Sequence, residues 1–327
     1  MIVLEKLQLL SLYANFRKDL AYIEKELERA VDSTSPIIRQ ASLHLLRAGG
    51  KRIRPIFVIL ASEFGNYSLE DVSKVAISLE LVHMGSLVHD DVIDDSDMRR
   101  GLQTVKARWN NKIAMYTGDY ILSRALISIS EIEIPAVHNL LAKTMLEICE
   151  GEIIQIEHQR EVNQTMRDYL RRIKRKTALL LSSSCELGAL VSGADISVVK
   201  KLSRFGYYAG MSFQITDDIL DITSTDEELG KPAGSDLLNG HLTLPILYIK
   251  DDKEFRPFMD RCFDGTLTAF DRDKMLSYIR NSGAIEKAQA VSDLYLDKAL
   301  YELSNLPDGN AKQAFKQIAA FIGNRNY

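Results

Sequence analysis

Proline limits helix length more than any other residue, because it lacks the backbone N–H and clashes with the turn before it. This chain has only seven in 327 residues. Pro36, Pro55, Pro135, Pro232, Pro245, Pro257 and Pro307 fall mostly between long segments in which apolar residues recur every three or four positions. Segment 68–91 is the clearest. Ser68, Leu69, Glu70 and Asp71 offer an N-cap and an acidic first turn, and Val72, Val75, Ala76, Leu79, Val82 and Met84 follow at helical spacing. Similar periodicity covers 37–48, 113–130, 136–160, 166–192, 196–224, 284–305 and 310–322, with no sustained period-2 run bounded by hairpin turns. The expected fold class is all-α, one large helical bundle, with residues 1–327 as a single domain. Loop chemistry interrupts it at 96–104 and 224–243.

Charge excludes further classes. Lys and Arg total 41 against 45 Asp and Glu, a net charge of −4, which argues against a nucleic-acid face. Cys149, Cys185 and Cys262 are odd in number and lack a CxxC spacing, so neither a disulfide framework nor a zinc knuckle is expected, and a cytoplasmic setting is. Glu5, Lys6, Arg17, Lys18 and Asp19 break any signal-peptide core, and no run of 18 uncharged apolar residues suggests a transmembrane segment.

One acidic motif occurs twice. Asp90, Asp91 and Asp94 lie within VHDDVIDD, followed by Arg99 and Arg100, and Asp90 and Asp94 share a helix face at i,i+4. Alone, such a motif reads as a solvated acidic face. The second copy, Asp217, Asp218 and Asp221 in FQITDDILD, starts 127 residues after Asp90 in an equally apolar context. Two facing helices with paired carboxylates make an oxygen-only site suited to Mg²⁺, which takes a few carboxylates, waters and phosphate oxygens. Lys51, Arg52 and Arg54, Arg99 and Arg100, and Lys231 lie beside these motifs. Singly each reads as a surface cation; together they suit a diphosphate. There is no GxxxxGK[ST] loop and no GxSxG elbow.

Five ordered segments, GGKRIRP at 49–55, LVHMGSLVHDDVIDDSDMRRG at 81–101, RKTALL at 175–180, FQITDDILD at 213–221 and GKPAGSD at 230–236, make the chain resemble the trans-isoprenyl (polyprenyl) diphosphate synthases along essentially its whole length. Within them it is most similar to the catalytic subunit, component 2, of bacterial two-component heptaprenyl or hexaprenyl diphosphate synthases. The resemblance implies an isoprenoid-synthase bundle with a central apolar tunnel. It also implies Mg²⁺-dependent condensation of isopentenyl diphosphate onto an allylic diphosphate such as farnesyl diphosphate, for menaquinone side chains. Asp90, Asp91 and Asp94 on one side and Asp217, Asp218 and Asp221 on the other are then the metal ligands. Arg99, Lys176, Thr177, Gln214 and Lys231 match positions that contact the allylic diphosphate. Lys51, Arg54, His83 and Arg100 match positions that hold isopentenyl diphosphate. His83, among apolar helix positions, reads otherwise as a core histidine. Gly85 and Ser86, at the family's chain-length positions, carry no aromatic plug, which implies a medium-to-long product.

The same resemblance implies a dimer, either of two copies or with a small non-catalytic companion. The basic run Arg171, Arg172, Lys174, Arg175 and Lys176 is alternatively a solvated face, or a peripheral contact for a partner or an anionic membrane surface. Competing readings are a farnesyl or geranylgeranyl diphosphate synthase, a class I terpene cyclase, and a regulatory subunit without activity. Against the last, all six aspartates are present.

Overall fold

The computed structural model describes residues 16–50, 52–229 and 232–323. The order is α1 (Arg17–Ala30), α2 (Pro36–Arg47), α3 (Ile53–Ser62), α4 (Leu69–Ile93), β1 (Met98–Arg99), β2 (Leu102–Gln103), α5 (Val105–Arg108), α6 (Asn111–Ser130), α7 (Pro135–Glu157) and α8 (Met166–Ile173). A π-helical turn, Lys174–Ala178, joins α8 to α9 (Leu179–Val191), and α10 (Ile196–Thr223) follows. Then come α11 (Asp226–Leu229), α12 (Ser235–Leu238), α13 (Leu244–Ile249), α14 (Arg256–Phe263), α15 (Ala269–Asn281), α16 (Ala284–Ser304) and α17 (Asn310–Gly323). The all-α expectation holds, and the periodic segments match α2, α4, α6, α7, α10, α16 and α17 to within a few residues. Two details differ. Segment 96–104 holds a two-residue antiparallel ladder, Met98 opposite Gln103 and Arg99 opposite Leu102, and the helix read across 166–192 is interrupted by the π-turn.

Helix α4 is the axis of the bundle. Its Ser68 hydroxyl accepts from the Asp71 N–H, and buried residues surround it from Val72 to Val88, as in a helix enclosed on every side. Helix α6 runs antiparallel to it: Ser128 donates to the Lys74 carbonyl at one end, and His89 meets the Met115 carbonyl at the other. Phe57 of α3, Phe205 of α10 and Phe315 of α17 pack together with centroids 4.8–6.2 Å apart, fixing three distant segments through a dry aromatic contact. Glycine brings α10 close to the π-turn: a Cβ on Gly210 would lie 2.5 Å from the Ala178 Cα. No helix among the described residues is long and apolar enough to cross a membrane.

Candidate active site

Both acidic motifs occupy the C-terminal ends of long helices, Asp90 and Asp91 in the last turn of α4 with Asp94 as its C-cap, and Asp217 to Asp221 in the last turns of α10. A helix C-terminus carries negative partial charge, so it repels carboxylates by a few tenths to one kcal/mol each, roughly. The sequence places anions where the backbone disfavours them, a conflict that a bound cation would relieve.

In the first motif, Asp91 is buried; Arg99 Nε donates to its Oδ1 at 2.7 Å and its Oδ2 is buried without a partner. Burial, then repulsion from Glu152 and Asp94, pushes the Asp90 carboxyl up to about 7, with Lys176 and Arg99 opposing the rise. Glu152 of α7 is itself raised, first by burial, with Lys176 opposing and Asp94 adding to the shift.

The second motif is held by donors. Tyr169 of α8 donates to Asp218 Oδ2 and Gln214 to its Oδ1, each at 2.8 Å. Burial and the nearby Asp236 still push Asp218 up to about 7. Asp221 accepts from the Ser235 hydroxyl at 2.9 Å and the Asp236 N–H at 3.2 Å. Asp217, Asp218 and Asp221 line a cavity of about 420 Å³ with Arg99, Arg172, Lys176, Gln214 and His241. The π-turn aims Lys176 and Thr177 here: Lys176 donates to Gln155 at 3.2 Å, and Thr177 donates to Gln214 Oε1 at 2.5 Å. Such bulges recur at functional sites because they redirect side chains without ending the helix.

A second cationic group lies beside α4. Arg54 of α3 has a buried Nε with no partner, and burial with the Arg100 charge lowers its affinity for its proton while Glu80 opposes. Burial, then Arg54 and Arg100, hold His83 well below the usual histidine range, so it is neutral. Arg100 has φ +52° and presses its guanidinium against Gly50. The nearby carboxylate is Glu80, 4% exposed, whose Oε1 accepts from Arg52 Nη1 at 2.9 Å and whose Oε2 is buried without a partner. Arg52, at φ +44°, also bonds Glu24 of α1 and the Leu46 carbonyl. An orphaned guanidinium nitrogen and several cations around one carboxylate form a ready anion site.

The structure thus brings Asp217, Asp218, Asp221, Arg99, Lys176 and Gln214 to one cavity, couples Asp90 to it through Lys176, with Asp94 acting on Asp90, and sets Arg54, His83 and Arg100 together beside it. Lys51 and Lys231 lie outside the described residues. The basic run is not a free cationic face: Arg172 is buried, donating to Gln164 and the Leu242 carbonyl, and Lys174 and Arg175 pair with Glu147 and Glu150. Ser86 Oγ turns back onto the His83 carbonyl. Gly85 does not face open space: a Cβ there would lie 2.7 Å from Leu122 Cγ. Sequence reasoning missed Glu80, Glu152, Gln155, Tyr169 and His241, because single polar residues on a helix or loop carry no spacing signal.

The donor set fits a divalent cation, being all hard oxygens with one buried carboxylate oxygen unsatisfied and two carboxyls raised to about 7, first by burial and then by neighbouring carboxylates. Among the described residues no three His, Cys, Asp or Glu side chains form a metal cage by themselves. An ion here would take a few carboxylates and complete its shell from ligand and water, as Mg²⁺ commonly does.

The polyprenyl synthetase family profile matches residues 35–270. Heptaprenyl diphosphate synthase component 2 of Geobacillus stearothermophilus is 52% identical over 321 residues, covering 98% of this chain and all of that protein. The crystal structure of heptaprenyl diphosphate synthase from Staphylococcus aureus superposes with a TM-score of 0.89 at 44% identity, covering 95% of this chain and 99% of that one. That of a polyprenyl synthase from Caulobacter crescentus, complexed with calcium and isoprenyl diphosphate, gives 0.91 at 30% identity and covers 97% and 98%.

Proposed function

The chain belongs to the polyprenyl synthetase family and is a trans-prenyltransferase, and from that premise we propose that it makes a heptaprenyl-length all-trans diphosphate by repeated addition of isopentenyl diphosphate to an allylic diphosphate such as farnesyl diphosphate. The observation that carries this reading is the pair of aspartate-bearing helix ends joined through Lys176 around one polar cavity. The name of the Geobacillus relative supports the product length. The lack of an aromatic side chain at Gly85 or Ser86 favours it over a farnesyl or geranylgeranyl product.

Mg²⁺ is the proposed ion, held by Asp90, Asp94 and Asp217, with Asp91, Asp218 and Asp221 bracing the shell. When bound, it supplies charge neutralisation for the departing diphosphate. Lys176, Arg99, Thr177 and Gln214 orient the allylic diphosphate and add fixed positive charge where negative charge develops, so that its C–O bond ionises. Tyr169 fixes the Asp218 carboxylate by its 2.8 Å hydrogen bond. Arg54, Arg100 and neutral His83 hold the isopentenyl diphosphate beside it, with Lys51 and Lys231 assigned to the two substrates on their motifs alone. Apolar residues of the bundle exclude water from the allylic cation until the isopentenyl double bond attacks. The released pyrophosphate accepts the proton lost afterwards, so no protein base is required.

We take the partner to be a small companion subunit, since the Geobacillus relative is named component 2. Helix α7 supports a docking face: Ala142, Leu146, Cys149, Ile153 and Ile156 are all exposed at alternating three- and four-residue spacing, the seam of a helix packed on another. Leu146→Glu with Ile153→Glu is expected to abolish co-elution with the companion in size-exclusion chromatography while leaving the circular-dichroism spectrum unchanged. Retained co-elution would move the interface elsewhere.

The decisive experiment incubates the purified chain with farnesyl and isopentenyl diphosphates and Mg²⁺, with and without the companion, and sizes the product. Heptaprenyl diphosphate is expected. Products no longer than geranylgeranyl diphosphate in both arms would overturn the assigned length.

A further inference from the structure

Gly85 lies five residues before Asp90 on α4, about 7.5 Å along the axis at the α-helical rise. Having no side chain, it leaves a hollow on the wall beneath the first acidic motif, and α6 fills it. A Cβ built on Gly85 would lie 2.7 Å from Leu122 Cγ and 2.8 Å from Leu122 Cδ2, well inside the contact distance of two carbon atoms. Leu122 therefore occupies the volume that a side chain at position 85 would take.

The seam above Leu122 has no comparable freedom. One turn earlier on α6 lies Gly118, which has no side chain to rotate and is covered by the His89 ring. That ring is fixed by Asp119 at 3.3 Å and the Met115 carbonyl at 3.3 Å. Ile121 and Ala125, beside Leu122, are wholly buried and locked into the core, whereas Leu122 is only half-buried. Leu122 packs against the core from its edge, so its side chain has more room to change rotamer than the wholly buried Ile121 and Ala125.

We propose that Leu122 is a specificity-determining residue for product length: a hydrocarbon growing from a diphosphate held at Asp90 passes along the α4–α6 seam only as the Leu122 side chain swings out of the Gly85 hollow. The proposal rests on the elongation reading above. It locates the stop on α6, whereas the sequence pointed to Gly85 and Ser86 on α4. A smaller residue at 122 leaves the seam open and lets elongation run further. A larger one wedges into the hollow and ends elongation early, while the first condensation, completed nearer Asp90, proceeds as before.

The test sizes the products of wild type, Leu122→Ala, Leu122→Met and Leu122→Phe, made from farnesyl and isopentenyl diphosphates with Mg²⁺ and the companion subunit. Thermal melts report folding. Leu122→Ala is expected to lengthen the product by one or more isoprene units. Leu122→Phe is expected to shorten it by at least two, with the rate of the first condensation unchanged. Leu122→Met, a volume-conserving swap the core tolerates well, is expected to keep the wild-type length and serves as the folded reference. Wild-type length in folded Leu122→Ala, or a shorter product from it, overturns the proposal, whether or not Leu122→Phe folds. Absence of any polyprenyl product from the wild type overturns the elongation reading instead.

Discussion

Asp90→Asn lowers condensation turnover by at least about a hundredfold, the scale seen when one preorganised charge-stabilising group is removed, and at the same time raises thermal stability. The second half follows from the first motif's surroundings. Burial and the neighbouring Glu152 and Asp94 push the Asp90 carboxyl from 3.8 up to about 7. A carboxyl whose folded value lies above its unfolded value is favoured by folding when protonated and disfavoured when ionised. Its stabilising effect is complete below pH 4 and is lost as pH rises through about 7. Asn has no charge to lose, so its advantage in EDTA is absent at pH 4, grows through the interval and is full at pH 8. Melting curves at the two pH values, with a steady-state assay in saturating Mg²⁺, measure both effects. A solvated acidic face predicts near-wild-type turnover, and that result would remove Asp90 from the site.

This opposition between stability and activity explains why the two motifs are legible in the sequence while their support is not. Carboxylates at i,i+4 in an apolar helix are locally unfavourable, and a feature that local physics disfavours stands out against the helical pattern. Asp90, Asp94, Asp217 and Asp221 are visible for that reason. Glu152, Gln155 and Tyr169 each look like ordinary helix residues, and only the tertiary fold turns them toward the aspartates. The π-turn at Lys174–Ala178 is equally silent, because KRKTA holds no proline or glycine to mark a break, and the close approach of α10 at Gly210 beside it shows only in the fold. Helix α3 escaped because its ten residues, IRPIFVILAS, are apolar on almost every side, where period carries no information. Helices α14 and α15 are short and charge-rich, so their apolar faces rest on two or three residues each.

Glu80 joins these silent residues, and its replacement gives the other large expected effect. In Glu80→Gln the buried Arg52 loses the charge of a carboxylate 2.9 Å away, and Arg54 and Arg100 lose the negative charge that offsets their mutual repulsion. Breaking a buried ion pair by removing one partner costs about 3–5 kcal/mol. Glu24 moderates this, since it retains its own bond to Arg52, so a loss near 3 kcal/mol, roughly 4 °C in melting temperature for a chain of this size, is expected. A purely structural ion pair and an anion site differ in what restores the loss. If Arg54, Arg100 and His83 receive a diphosphate, the bound anion supplies the charge that Glu80 no longer does. Both groups stabilise the same cations, so each contributes more when the other is missing. Isopentenyl diphosphate without Mg²⁺ is then expected to raise the melting temperature of Glu80→Gln more than that of wild type, and Glu80→Asp to fall between them. Equal ligand-induced shifts in all three proteins would make Glu80 a structural counter-ion and detach it from substrate binding. A larger shift in the Gln variant would establish that the strained Arg52 turn and its buried carboxylate partner hold Arg54 and Arg100 ready for a negatively charged substrate.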